Sequence, residues 1–274
     1  TISNSTSPTA TISGLSVGTT VLQWMLSNGT CSSVSTMSIQ VFGAPSNATV
    51  GPNQILCITS PTTALTGNIP AVGTGSWTIL SGGGTISSST LGTSGFTASG
   101  VGTTVLQWNI TNGICTSSSP FLSVQVFGLP GPLLPGPDQT ICESTGTTVL
   151  AASPPTVGVI SWSVVSGSGS LSGTTITTPT ITGLTAGTTL VQYNITNGPC
   201  VNSATLTIGV DTSPTPPVAG SNQSLCASSN STTLVGNNIS VGTGSWSVIS
   251  GTCTITSPNL NITTLTGLAT GTNI

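Results

Sequence analysis

The residues of this chain that could do chemistry are few. In 274 residues there are seven cysteines, three carboxylates and five tryptophans, with no Lys, Arg or His. Asp138, Glu143 and Asp211 are the acids. General acid and base catalysis needs a group titrating near neutral pH, and a nucleophilic Ser or Cys needs such a group beside it. These three acids have no partners of that kind. A Lys/Arg footprint for nucleic acid is absent, and the acids are too few and too scattered for a calcium loop. The nearest cysteines in sequence, such as Cys31 and Cys57, stand 26 positions apart (57 − 31), and no His exists to complete a zinc site. The sequence therefore predicts no catalytic residue, no cofactor, no metal and no enzyme.

The cysteines fall into two types, an early one after a Gln motif and a late one after Asn-Gly. Cys57 and Cys115 are 58 positions apart, and so are Cys142 and Cys200 (115 − 57, 200 − 142). Equal spacing predicts two bridges, Cys57 with Cys115 and Cys142 with Cys200, each inside one domain. Pairing across a linker, such as Cys115 with Cys142, would have to span most of a domain, whereas bridged Cα atoms lie about 4.4 to 6.8 Å apart. Closing a loop of this size contributes roughly 4 kcal/mol. Disulfides imply an oxidising compartment, hence the periplasm, the cell surface or outside, and an extracellular or cell-surface location is expected. Cys31 and Cys226 are expected to lose their partners only because the stretch is cut, and Cys253 fits neither type and is expected to be a small buried residue. Trp77, Trp162 and Trp246 occupy one recurring position, and Trp24, Trp108 and Tyr193 another. One aromatic fixed on a central strand of each domain is expected to be a core plug, not a ligand platform.

Three motifs position these residues, and all recur at one period. Gly51-Pro52-Asn53-Gln54-Ile55-Leu56-Cys57 returns from Gly136 to Cys142 and from Gly220 to Cys226, offsets of 85 and 84 (136 − 51, 220 − 136). Val72-Gly73-Thr74-Gly75-Ser76-Trp77 returns from Val241 to Trp246, and between them as Val157-Gly158 leading to Trp162, with Ile160 in place of the second glycine. Gly18 to Cys31 returns from Gly102 to Cys115 and from Gly187 to Cys200. A period of about 84 residues is too long for a solenoid coil and suits one small β-sandwich per repeat.

The predicted fold is thus all-β: a tandem array of immunoglobulin-like β-sandwich repeats of about 84 residues. Residues 51–128 and 136–211 form complete repeats, 1–43 the back half of one and 220–274 the front half of another. In the repeat from 136, strands are predicted at Gln139 to Ile141, Thr147 to Ala151, Ile160 to Val165, Leu171 to Ile176, Thr188 to Thr196 and Val201 to Val210. Asn112-Gly113 and Asn197-Gly198 read as type I′ hairpin turns. The linkers Ala44 to Val50, Leu129 to Pro135 and Thr212 to Ala219 read as semi-rigid spacers.

No apolar run approaches the ~20 residues of a membrane helix, so no membrane insertion is expected. A formal net charge of -3 gives little colloidal repulsion. With few charges to guard strand edges, self-association into a filament is expected. Asn-x-Ser/Thr triplets, among them Asn4, Asn109 and Asn194, make glycosylation feasible. Further repeats are favoured over strand exchange between subunits, because Thr254 to Ile274 repeats the register of Thr1 to Val21 and exchange would carry that segment twice.

Gly136-Pro137-Asp138-Gln139 with Cys142, Trp162 on a central strand, and Gly187-Thr188-Thr189 leading to Asn197-Gly198 and Cys200 resemble a known family. These motifs are similar to the PKD-like and immunoglobulin-like repeats of giant surface adhesins secreted by gliding and related Bacteroidota. The resemblance implies export across the outer membrane and display as long surface fibres. Ala98-Ser99 departs from it, standing where Gly14-Leu15 and Gly183-Leu184 stand in the other copies. The functional expectation is a structural, non-catalytic region of an extracellular adhesin or filament. A module binding glycans or another surface through its loops is the alternative, for which Phe96 is the one loop-like aromatic.

Overall fold

Runs of Thr, Val and Ile in which every second residue is apolar favour a pleated strand with one face buried, and Gly, Pro and Asn clusters end each run. The computed structural model describes residues 1–274, and every regular element in it is a strand. Gly18–Asn28 (β1) and Cys31–Val41 (β2) form an antiparallel hairpin. The next segment contains Gln54–Cys57 (β3), Thr62–Thr66 (β4), Thr74–Ser81 (β5), Gly84–Ile86 (β6), Thr93–Ala98 (β7), Gly102–Asn112 (β8), Cys115–Ser118 (β9) and Leu122–Phe127 (β10). It is followed by Gln139–Cys142 (β11), Thr147–Val149 (β12), Val159–Ser166 (β13), Ser170–Leu171 (β14), Thr180–Thr182 (β15), Gly187–Asn197 (β16) and Cys200–Asp211 (β17). Ser231–Val235 (β18), Thr254–Ile255 (β19) and Ile262–Thr266 (β20) complete the order.

Two sandwiches result. In the first, a sheet ordered β3-β10-β8-β5, with β9 on β8, faces a sheet ordered β4-β7-β6. In the second, β11-β17-β16-β13 faces β12-β15-β14. The strand orders correspond one to one, and β8 and β16 share an identical alternation of buried and outward residues. The inward set is Thr104, Leu106, Trp108 and Ile110 in β8, and Thr189, Val191, Tyr193 and Ile195 in β16. By contrast, β18, β19 and β20 make a single sheet, and the β1–β2 hairpin stands alone. By internal contacts the chain divides into two units. One holds 1–131 with 156–158 and 195–202, and the other holds 132–155, 159–194 and 203–274.

Several strand expectations change. The predicted strand from Leu171 to Ile176 ends at Leu171, because the backbone beyond it serves the other sheet: Trp162 N–H donates to the Thr174 carbonyl at 2.8 Å. β15 lies outside every predicted strand; it is three residues long and follows Pro179. The late strand of the first sandwich is split into β9 and β10 at Ser119-Pro120, where proline offers no N–H. Ser119 repairs the ladder, its Oγ accepting from Trp108 N–H at 2.9 Å. The Asn-Gly turns have positive φ only at glycine: Gly113 at 61° and Gly198 at 56°. No other residue type in the chain has positive φ, so Asn112 stays in the strand and glycine takes the first turn position, as in a type II′ turn.

Each sandwich is plugged by an aromatic pair whose size is matched to its floor. Trp77 and Trp108 meet at 5.2 Å between ring centroids, and Trp162 and Tyr193 at 4.6 Å. A Cβ on Gly75 would lie 2.0 Å from the Trp108 ring, and one on Gly67 2.9 Å from it. In the second sandwich the residues at these places are Ile160 and Ala152, and the ring is the smaller Tyr193. The two sequence changes are one volume exchange, which a core of ordinary density requires. Gly75→Ile is therefore expected to destabilise the first sandwich by at least about 1 to 3 kcal/mol. Adding Trp108→Tyr should recover more than half of that loss, measured by urea unfolding; equal destabilisation of the single and double variants would refute the match.

Candidate functional site

The cysteines define the site, and the structure corrects their predicted pairing. Cys57 is bonded to Cys200, with Cα atoms 5.1 Å apart and a sequence separation of 143. Neither Cys57 with Cys115 nor Cys142 with Cys200 is joined, and Cys115 and Cys142 are free thiols. Strand polarity is the reason. Cys57 sits opposite Phe127 at the C-terminal end of β10, beside the Gly102 end of β8, whereas Cys115 sits opposite Asn112 at the other end of that strand. Ten residue steps at about 3.4 Å each separate them by ~34 Å. Likewise Cys142 pairs with Asp211 at the last residue of β17, and Cys200 is its first. The two cysteines of one sandwich thus occupy opposite poles, while the early cysteine of one and the late cysteine of the next face the same linker.

That linker is tied down as well as bridged. Ile58 N–H donates to the Phe127 carbonyl at 2.9 Å, and the Cys200 Sγ, which carries no proton in the bridge, touches the same oxygen at 3.2 Å. Asn197 Nδ2 donates to the Gly128 carbonyl at 2.9 Å, and Asn202 Nδ2 to that of Pro130 at 3.3 Å. The Phe127 ring covers Gly198, where a Cβ would come within 2.6 Å of it. Beyond, Thr156 Oγ1 and N–H both donate to the Gly131 carbonyl. The linker preceding the first sandwich repeats this pattern: Phe42 covers Gly113, Asn112 Nδ2 donates to the Gly43 carbonyl at 3.0 Å, and the Cys115 thiol faces the Phe42 carbonyl at 3.9 Å.

The other free cysteines are placed differently. Cys31 and Cys226 are exposed, and Cys253 is half-buried, not buried as its isolation in sequence suggested. The Ser144 hydroxyl donates to Cys142 Sγ at 3.1 Å, and Ser213 Oγ lies 3.8 Å from it. The Ser144 side chain and backbone, then Ser213, hold the Cys142 thiol below its ordinary pKa, against a small opposing push from desolvation and the Asp211 charge. No group of three or more His, Cys, Asp or Glu is gathered anywhere.

The aromatic expectations divide. Trp77, Trp108, Trp162 and Tyr193 are buried, each with its polar atom satisfied. Trp108 Nε1 donates to the Asn68 carbonyl, Trp162 Nε1 to that of Ile176, and the Tyr193 hydroxyl to that of Ser153. Burial pushes the Tyr193 phenol up, so it remains a neutral donor at pH 7. Trp24, expected in a core, is 39 % exposed, because no second sheet covers the β1–β2 hairpin. Trp246 is half-buried, without an aromatic neighbour. Phe96, read as a loop aromatic, is an inward residue of β7 at 1 % exposure, whereas Phe121 is exposed at 66 %. The role of the Gln motif was not evident from sequence: Gln54, Gln139 and Gln223 each donate Nε2 to the carbonyl of Ala64, Val149 and Thr233, and accept from Thr63, Thr148 and Thr232. In the two sandwiches this clasps the first strand of one sheet to the first of the other.

The fold and its plugs define an all-β protein of the immunoglobulin-like sandwich class. Among solved structures, the chain is similar to the PKD domain from KIAA 1837 protein at 18% identity, over 31% of this chain and 93% of that one, with a TM-score of 0.28. It is similar to Drosophila OTK extracellular domains 3-5 at 13% identity, over 70% and 71%, with a TM-score of 0.45. The fibronectin(III)-like modules of Clostridium thermocellum CbhA align at 12% identity, over 60% and 94%, with a TM-score of 0.34. No protein-family model matches the chain, and no curated protein matches it. No helix is long and apolar enough to cross a membrane.

Non-reducing chymotryptic mapping, chosen because trypsin has nothing to cut, should recover one peptide pair joining Cys57 to Cys200. A Cys57 to Cys115 pair would overturn the assignment. Because the Ser144 contacts stabilise the thiolate, Cys142 should be alkylated by iodoacetamide at a lower pH than in a Ser144→Ala variant. The midpoint of the rate against pH should move up when the hydroxyl is removed, and an unmoved midpoint would refute that cause.

Proposed function

We propose that this chain is a non-catalytic structural stretch of an extracellular surface filament or adhesin, an array of sandwiches recurring about every 84 residues. The observation that carries the reading is the Cys57–Cys200 bridge, which closes over the linker between successive sandwiches where a ligand-binding module would need no covalent tie. A bond of this kind persists outside the cytosol. The charge-poor composition supports association of such arrays with one another. The resemblance to repeats of secreted adhesins of gliding and related Bacteroidota gives the reading its specific form, display as long fibres after export across the outer membrane. A second reading, attachment to surface glycans, is favoured by the exposed ring of Phe121.

Antibodies raised against residues 51–211 should label intact cells and decorate fibres sheared from them, seen by negative-stain electron microscopy. Label confined to the cytosolic fraction would sink the proposal. Loss of glycan retention in Phe121→Ala, with fibres absent from wild-type cells, would favour the second reading.

A further inference from the structure

The smaller sheet of each repeat carries the same row of hydroxyls on its outward face. In the first sandwich Thr62 of β4 pairs with Thr97 of β7, which pairs with Thr85 of β6. In the second the row is Thr147, Thr182 and Ser170, across β12, β15 and β14. In the last sheet it is Ser231, Thr266 and Thr254, across β18, β20 and β19. Every position of the three rows holds Thr or Ser, and all but the half-buried Thr266 are exposed. We propose that this face binds ice, a further activity that stands apart from the fibre reading.

Strand register turns hydroxyls that are scattered in sequence into a lattice. Neighbouring strands lie about 4.7 to 4.9 Å apart, and the next outward residue on a strand follows after roughly 6.4 to 6.8 Å. Oxygen rows on the prism face of hexagonal ice repeat at nearly these two distances. Each Thr supplies a hydroxyl that both donates and accepts, beside a methyl group that orders the water next to it. The next outward pair is Ala64 and Gly95 in the first sandwich, Val149 and Thr180 in the second, so no large side chain stands above the row. The Thr62, Thr85 and Thr97 hydroxyls bond nothing within the protein, while Thr147 Oγ1 donates to the Ile181 carbonyl at 3.0 Å and keeps its lone pairs. The larger sheet differs, because its outward polar groups are already used. Asn109 Nδ2 donates to Thr78 Oγ1 at 3.1 Å and its Oδ1 accepts from Ser118 at 2.8 Å, and Gln107 Nε2 donates to the Ser119 carbonyl at 2.9 Å.

The charge distribution points the same way. A charged side chain keeps its own hydration shell and breaks up an ordered water layer. The chain has no Lys, Arg or His, and none of Asp138, Glu143 and Asp211 lies on a strand of this face. A glycan would call for a ring to stack on, and a protein partner for an aromatic, Met or Arg anchor. The outward positions of β4, β7, β12 and β15 hold neither.

The test grows ice slowly in a solution of the purified, oxidised 274-residue chain and a charged control protein of similar size, and measures what enters the solid. The chain is expected to be enriched in the ice and the control excluded. Thr97→Lys with Thr182→Lys should reduce uptake to the level of the control without changing the melting temperature, since both side chains face solvent. Thr103→Lys with Thr188→Lys, which puts the same two charges on the outward face of the larger sheet, should leave uptake unchanged. Exclusion of the unaltered chain from ice would overturn the proposal. So would equal loss in the two Lys pairs, which would make net charge and not this face responsible. Retention on insoluble chitin or cellulose that is lost in Thr97→Lys with Thr182→Lys, without any uptake into ice, would give the face to a glycan instead. Each of these negative results leaves the fibre reading standing.

Discussion

In β8 and β16 every second side chain from Thr104 to Ile110 and from Thr189 to Ile195 points inward, and the remaining strands are arranged around that face. The aromatic at its middle is the largest single object to be buried, and both sheets close on it. Because its partner strand, its floor and its hydrogen-bond acceptor all come from different parts of the chain, the ring couples local strand formation to the long-range pairing of the two sheets. This constraint explains why a change at the ring is answered by a change on the floor. Where the β1 strand lacks a facing sheet, the same sequence pattern yields only a hairpin.

The interior is satisfied without any ion pair. With no Lys, Arg or His, every buried polar atom is served by hydroxyls, amides and main chain, and none is left without a partner. Glutamine clasps, a serine hydroxyl accepting from a strand N–H beside a proline, and asparagine reaching across linkers all do work that charged side chains do elsewhere. Such bonds are short-ranged and indifferent to added salt, so solution conditions act on this protein mainly through its apolar burial.

Much of the fold was legible in sequence, because alternation of buried positions and the recurrence of Cys, Trp and Asn-Gly need no tertiary knowledge. The long strands β16 and β17 fall where the pattern put them. Short β15 escaped because three residues are too few for a period to register. The cysteine partners escaped for a different reason: equal spacing identifies equivalent residues but carries no information about strand direction, and direction decides which pole each sulfur occupies. Trp24 and Trp108 are indistinguishable by local sequence, and only the presence or absence of an opposing sheet separates a core ring from an uncovered one. The volume exchange between Gly75 with Trp108 and Ile160 with Tyr193 was visible as two isolated irregularities, and only their contact shows them to be one.

The Cys57–Cys200 bond has a mechanical consequence. Tension applied along the backbone enters at β3, crosses the sulfur bridge and leaves through β17, so the intervening chain lies outside the force path. A sequence separation of 143 residues, at roughly 3.3 to 3.6 Å each when extended, amounts to about 500 Å of hidden length. While oxidised, the bond withholds that length. Reduction converts the same stretch into an extensible tether, so redox state would set the compliance of any strand built from it.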